Sequence, residues 1–192
     1  MNDPGLRLDH RLAALLMLAL LAMPAWAHEQ AGQVAGFVTG LLHPVSGLDH
    51  VLAMVAVGLW GAQLGAPAIW LLPVTFPLVM ACGGFLGLLG VPLPGVEVGI
   101  AASAVLLGTM VATESRPPLA LAAALVALFA VFHGHAHGTE LPAGQSGLLY
   151  SAGFVVATRS LNAAGIVIGL VHRFHTGRIA LQAAGAVVTL AG

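Results

Sequence analysis

A chain of 192 residues that is 59% apolar and 7% charged, with a formal net charge of −1 and a mean hydropathy of +0.99, cannot cover itself in water, because soluble domains carry about 25% charged residues. All six basic residues are arginine, so there is no lysine to build a phosphate-binding loop, a Schiff base or a polybasic patch; nucleotide binding by this chain, pyridoxal chemistry and nucleic acid as a partner are excluded. The single cysteine, Cys82, excludes an internal disulfide and a four-thiolate zinc site, which leaves nine histidines as the unusual feature of the composition.

At roughly 20 residues per span, the length accommodates an all-α, polytopic membrane helical bundle of about six transmembrane helices. The apolar runs lack the alternation over ~10 residues that a transmembrane barrel needs. The lipid bilayer is therefore the first expected partner.

The N-terminus carries Arg7 and Arg11 before the run AALLMLALLAMPAWA, which ends small-x-small at Ala25-Trp26-Ala27. This is the pattern of a secretory signal peptide cleaved after Ala27. It divides the chain into residues 1–27, the signal peptide, and 28–192, a six-span domain whose mature N-terminus is periplasmic. Cleavage would leave His28 with a free α-amine beside its imidazole, a chelate suited to nickel or copper, and so a candidate capture point.

Apolar segments follow at about 33–64, 68–90, 97–113, 117–138, 147–171 and 177–192, separated by the turn sequences GAPA, VPLPG, ESRPP, ELPAGQ and RFHTGR. Glycines four apart (Gly36/Gly40, Gly61/Gly65, Gly83/Gly87, Gly134/Gly138, Gly165/Gly169) predict close helix approach. With the N-terminus outside, Arg116, Arg173 and Arg178 fall on the cytoplasmic side, as the positive-inside rule requires, and Glu29, Glu97 and Glu140 lie outside. His172 and His175 flank a cytoplasmic turn and read as solvated.

The first span contains HPVSGLDH, His43 to His50. On one straight helix His43 and His50 fall within about 20° of the same face, with Met54 a turn further on and Asp49 on a neighbouring face. Pro44 removes the helical bond to the Gly40 carbonyl and Gly47 weakens the next turn, so a break is expected here. The fourth span ends in FHGHAHGTE: His133, His137 and Glu140 make one stripe, and His135 points away. Neutral imidazoles one turn apart clasp a divalent first-row metal, while the glycine after His133 rules out the HExxH protease spacing. Counting residues inward places His43 about 15 Å deep and His133 and His137 in the last turns of an outward-running span, so the two sets are expected to converge in the outer half of the membrane.

Arg159 is the one arginine of the mature chain outside the cytoplasmic turns. It counts to about 18 Å deep, where a guanidinium needs a partner, and Asp49 counts to a similar depth. Two readings are open: an Asp49–Arg159 pair, with Asn162, one turn beyond, lining the same cavity, or an Arg159 that snorkels or bonds backbone carbonyls at a helix kink.

Taken together, HPVSGLDHVLAMVAVG, FHGHAHGTE and GFVVAT resemble the signatures of the HupE/UreJ family of bacterial metal permeases, and the resemblance runs over the whole chain, signal peptide and six-span layout included. It implies a transporter rather than an enzyme, taking up Ni(II), or Co(II) or Fe(II), across the bacterial inner membrane to supply hydrogenase or urease. The implied motif residues are His43, Asp49 and His50 on the first span and His133, His137 and Glu140 on the fourth. The transported ion is the cargo, and no prosthetic group is implied. One departure stands out: where the family pattern after GFVVAT carries a histidine, this chain has Asn162. From the residues alone, an intramembrane metal-dependent hydrolase and a metal-binding accessory subunit without transport stay open as alternatives.

Overall fold

The computed structural model describes residues 35–141 and 144–191. The expected signal peptide, its cleavage site and His28 lie outside the described residues. Within them the chain is all helix: α1 (Ala35–Ser46), α2 (Leu48–Leu64), α3 (Ala68–Leu88), α4 (Val96–Ala112), α5 (Leu119–Thr139), α6 (Gly147–Gly169) with a 3-10 turn at Leu170–Arg173, and α7 (His175–Ala191). The elements stop where the turn residues stand. Gly65, Gly90 and Gly95 take φ of 78°, 69° and 73°, the left-handed region that costs glycine nothing.

Three helices are long and apolar enough to cross a membrane, α3, α5 and α6 with its 3-10 extension, and α1 with α2 makes a fourth as a bent pair. The expectation of six spans is met only to that extent. Helices α4 and α7 have 17 residues each, about 26 Å of helix against a hydrocarbon layer of about 30 Å.

The break in the first span is sharp. Helices α1 and α2 meet at 82°, with Gly47 between them in an extended conformation (φ −105°, ψ 121°). Pro44 supplies no N–H to the Gly40 carbonyl, and Gly47 ends the helix three residues later. A Cβ on Gly47 would stand 2.8 Å from Asp49 Oδ1 and 3.0 Å from His50 Nδ1. The missing side chain is what allows the Asp49–His50 pair to curl back under the elbow.

Glycine also governs how the helices pair. Gly134 lies against Met80 and Gly84, and Gly138 against Gly84 and Gly87, so α3 and α5 run parallel with their backbones touching. Gly58 meets Gly165 where α2 and α6 run parallel, and Gly108 meets Gly185 where α4 and α7 run antiparallel. In hydrocarbon no hydrophobic effect drives helices together, so dispersion between closely approaching backbones must do it. Trp60, Phe76, Met54, Leu72 and Leu107 fill the centre, all fully buried.

One end of the bundle carries the arginines and is tied by polar contacts. Trp60 Nε1 donates to the Ser115 carbonyl at 2.9 Å and Gln63 Nε2 to the Val111 carbonyl at 3.1 Å. After α4, Ser115 N–H bonds the Met110 carbonyl at 3.0 Å, closing the helix in the manner that places a left-handed residue just beyond its end. That residue is Glu114, at φ 50°. Its carboxylate accepts two bonds from Arg178, at 2.9 and 2.8 Å. The guanidinium holds the Glu114 carboxyl below the usual carboxylate range.

Candidate metal centre

The opposite end carries the histidines. Gly134 and Gly138 press one face of α5 onto α3, and this orients His133 and His137, one turn apart, toward the elbow; they are 0% and 4% exposed. From the first turn of α2, His50 reaches both, its ring centre 4.9 Å from His133 and 4.5 Å from His137. His43 comes from α1, with its ring 4.7 Å from His137. Imidazoles that share one ion at a metal–nitrogen distance of about 2.1 Å have ring centres about 5 Å apart, and the ring centres of these pairs are at about that spacing. Glu140 completes the rim: its Oε2 lies 3.2 Å from His43 Nε2. Ligand atoms of His43, His137 and Glu140 all fall within 4.8 Å of one another.

Aromatic rings wall the cluster. The ring centre of Phe154 lies 4.2 Å from that of His137 and Phe76 5.7 Å from His133, both tilted, and Tyr150 stands edge-on 5.8 Å from His43. A cavity of about 170 Å³ opens beside His137 between α3, α5 and α6, bounded by Met80, Gly84, Tyr150 and Phe154.

The hydrogen bonding inside is incomplete in a particular way. His50 Nδ1 is 3.0 Å from Asp49 Oδ1 and His133 Nε2 is 2.8 Å from Ser103 Oγ. The other nitrogens, His50 Nε2 and His133 Nδ1, are buried without a partner, as are both nitrogens of His137. Buried polar atoms in folded proteins nearly always find a partner. Four orphaned imidazole nitrogens at one place, three of them bare lone pairs once His137 keeps its one ring proton, with the carboxylates of Asp49 and Glu140 beside them, make an environment complementary to a cation that binds nitrogen.

The structure brings together His43, Asp49, His50, His133, His137 and Glu140. The route differs from a single helical face, since the 82° elbow sends His43 to one side of His137 and His50 between His133 and His137. Other expectations are corrected. Asp49 does not pair with Arg159: the carboxylate faces His50, and Arg159 is exposed on α6. The buried stripe of α6 runs through Tyr150, Phe154, Ala157, Thr158 and Gly165, and Arg159 lies roughly 135° around the helix from its centre.

Asn162 is buried outside the cluster, its Nδ2 donating to the Pro73 carbonyl at 3.4 Å. His135 turns away to the Val91 carbonyl at 2.7 Å, and Met54 belongs to the hydrophobic core. Cys82 is exposed on α3. Ser103, Tyr150 and Phe154 were not legible as site residues, since a lone serine or aromatic in an apolar span has no periodic partner to mark it.

An all-α bundle with membrane-length helices and a buried cluster of histidines rimmed by carboxylates defines an integral membrane protein built to handle a metal ion. The chain belongs to the HupE/UreJ family, whose model, described as HupE / UreJ protein, matches residues 15–192. It is 47% identical over 176 residues to the protein named Protein HupE of Rhizobium leguminosarum bv. viciae, an alignment covering 91% of this chain and 92% of that relative. No solved structure matches the chain.

Proposed function

We propose that this protein is a secondary or passive transporter that takes up a divalent transition metal, Ni(II) first, with Co(II) and Fe(II) as the other cargoes, across the bacterial inner membrane. The observation that carries this reading is the set of four buried, unpartnered imidazole nitrogens beside the rim of His43 and Glu140. Neutral imidazole suits first-row transition metals, whereas Mg²⁺ and Ca²⁺ take oxygen ligands. His43, His50, His133, His137 and Glu140 bind the ion as it sheds water, and Asp49 orients His50 by accepting its Nδ1–H, the role carboxylates play behind metal-binding histidines. This commitment also speaks against the hydrolase alternative, which needs a carboxylate free to take a proton from metal-bound water.

The layout follows from the same reading. Six segments crossing alternately make the second and fourth parallel, the first and fifth parallel, and the third and sixth antiparallel. The glycine contacts of α3 with α5, α2 with α6 and α4 with α7 support that arrangement, with α4 and α7 as short spans. The histidine and glutamate end faces the periplasm, and the end with Arg116, Arg173 and Arg178 faces the cytoplasm, after removal of residues 1–27. The test is uptake into proteoliposomes offered Ni(II), Co(II), Fe(II) and Zn(II) separately. Accumulation of Ni(II) that is lost in His137→Ala supports the reading, and equal, slow leakage of all four ions in both proteins overturns it.

A further inference from the structure

We infer that the cluster is two stations sharing His137: an outer one of His43, His137 and Glu140, and a deeper, all-nitrogen one of His50, His133 and His137, in which Ser103 dictates the nitrogen that His133 presents. The inference rests on the metal-transport reading and divides its site. The outer trio opens to solvent through His43 and Glu140, 26% and 58% exposed at the side chain, while His137 is buried. His133, one turn and about 6 Å further from the Glu140 end, is fully buried.

The proton positions follow from the donors and acceptors available. Ser103 has one hydroxyl proton, and it goes to the Ile100 carbonyl at 2.6 Å. The Ser103 oxygen therefore accepts from His133, at 2.8 Å. The proton of neutral His133 then sits on Nε2, and Nδ1, buried and unpartnered, is left as a bare lone pair. His50 is fixed in the complementary sense: the Asp49 carboxylate can only accept, so Nδ1 carries the proton and the buried Nε2 is bare. His137 bonds nothing through either nitrogen, so no partner fixes its tautomer and its one bare lone pair can be presented to either station in turn. Among the described residues only the outer trio brings its ligand atoms within 4.8 Å of one another, so the inner trio is the looser set and an arriving ion draws it in.

Chemistry separates the two stations. A site with a carboxylate and solvent admits oxygen-seeking and nitrogen-seeking divalent ions alike, whereas three imidazoles reject Mg²⁺. Selectivity is exercised at the inner station, and Ser103 is its positioning residue.

The test uses the full chain in detergent with Co(II) as the probe, following affinity and the visible absorption of the bound ion. Ser103→Ala is expected to weaken Co(II) binding about tenfold or more and to make the remaining binding sensitive to excess Mg(II), with Ser103→Thr restoring both. Glu140→Gln is expected to weaken binding without creating Mg(II) sensitivity. Histidine nitrogen spectra of the unsubstituted protein give a readout independent of any variant: they are expected to show His133 protonated on Nε2. Protonation on Nδ1, or a folded Ser103→Ala protein with unchanged affinity and spectrum, overturns the inner station while leaving metal transport standing. Absence of Co(II) binding by the unsubstituted protein overturns both.

Discussion

Replacing Gly134 by alanine tests the link between the helix seam and the histidines. A Cβ at this position would overlap the Met80 carbonyl oxygen and stand 2.8 Å from its carbon and 2.9 Å from Gly84 N, where ordinary contact lies at 3.4–4 Å. All three obstacles are backbone, so relief requires α3 and α5 to part by roughly 1 Å, an overpacking cost of about 1–3 kcal/mol. His133 and His137 ride on α5 and would move away from His50. Binding constellations tolerate displacements of about 0.5 Å, so Ni(II) affinity is expected to fall at least tenfold.

Gly61→Ala is the matched control. Its nearest neighbour is the Ala68 carbonyl oxygen at 3.3 Å, which must give by a few tenths of an ångström only, and a gain in helix propensity of about 0.5–1 kcal/mol offsets this, so the change is expected to be far milder than Gly134→Ala. Thermal unfolding and Ni(II) binding in detergent, with uptake in proteoliposomes, separate the two. A Gly134→Ala protein with the Tm and the uptake of Gly61→Ala would refute the claim that this seam positions the site.

Three other outcomes are expected. His43→Ala and His137→Ala each weaken Ni(II) binding by tenfold or more, and the double variant loses less than the sum because both serve one ion; isothermal titration giving strict additivity would contradict a shared ion. Gly47→Ala leaves the Tm within the range of surface substitutions but pushes the Asp49–His50 pair aside, lowering Ni(II) affinity about tenfold through the lost orientation of His50; unchanged affinity would remove Asp49 from that role. At Glu114, glycine relieves a left-handed strain of about 1 kcal/mol that alanine retains, so Glu114→Gly should melt higher than Glu114→Ala although both lose Arg178. Because Arg178 lowers the folded carboxyl below its ordinary 4.5, the pair contributes fully above that pH and is lost as pH falls through the folded value; a Tm difference between the protein and Glu114→Gln that persists unchanged in stronger acid would show that the pair contributes nothing.

Much of the site was legible because helical spacing is local. His133, His137 and Glu140 make a stripe on any α-helix, and Pro44 with Gly47 announces a break wherever the span sits. The Asp49–Arg159 pair failed for a reason that is equally physical. Counting 1.5 Å per residue gives depth alone, and depth is one coordinate of three. The azimuth of Arg159 was available in Tyr150, Phe154, Ala157 and Thr158, which set the buried stripe and leave Arg159 off it. The azimuth of Asp49 was not available, since an 82° elbow redirects every side chain after Gly47 by an angle that no residue count supplies. Ser103 lay beyond reach altogether, because its importance depends on which helix α4 faces.

Asn162 shows how a departure from a family pattern can mislead about a site. The position stands where the family pattern carries a histidine, and pairing of Asp49 with Arg159 would have it line their cavity. Pro77, inside α3, has no N–H to give the carbonyl four residues earlier, and that carbonyl belongs to Pro73. Asn162 Nδ2 reaches it at 3.4 Å from α6. The demand for a donor at position 162 therefore comes from the proline in α3, not from the ion, and a histidine or an asparagine can meet it. Losing the imidazole there subtracts nothing from the cluster around His137, and Asn162→Ala should lower stability, by leaving a buried carbonyl unpartnered at a cost of about 1–3 kcal/mol, before it alters the affinity for metal.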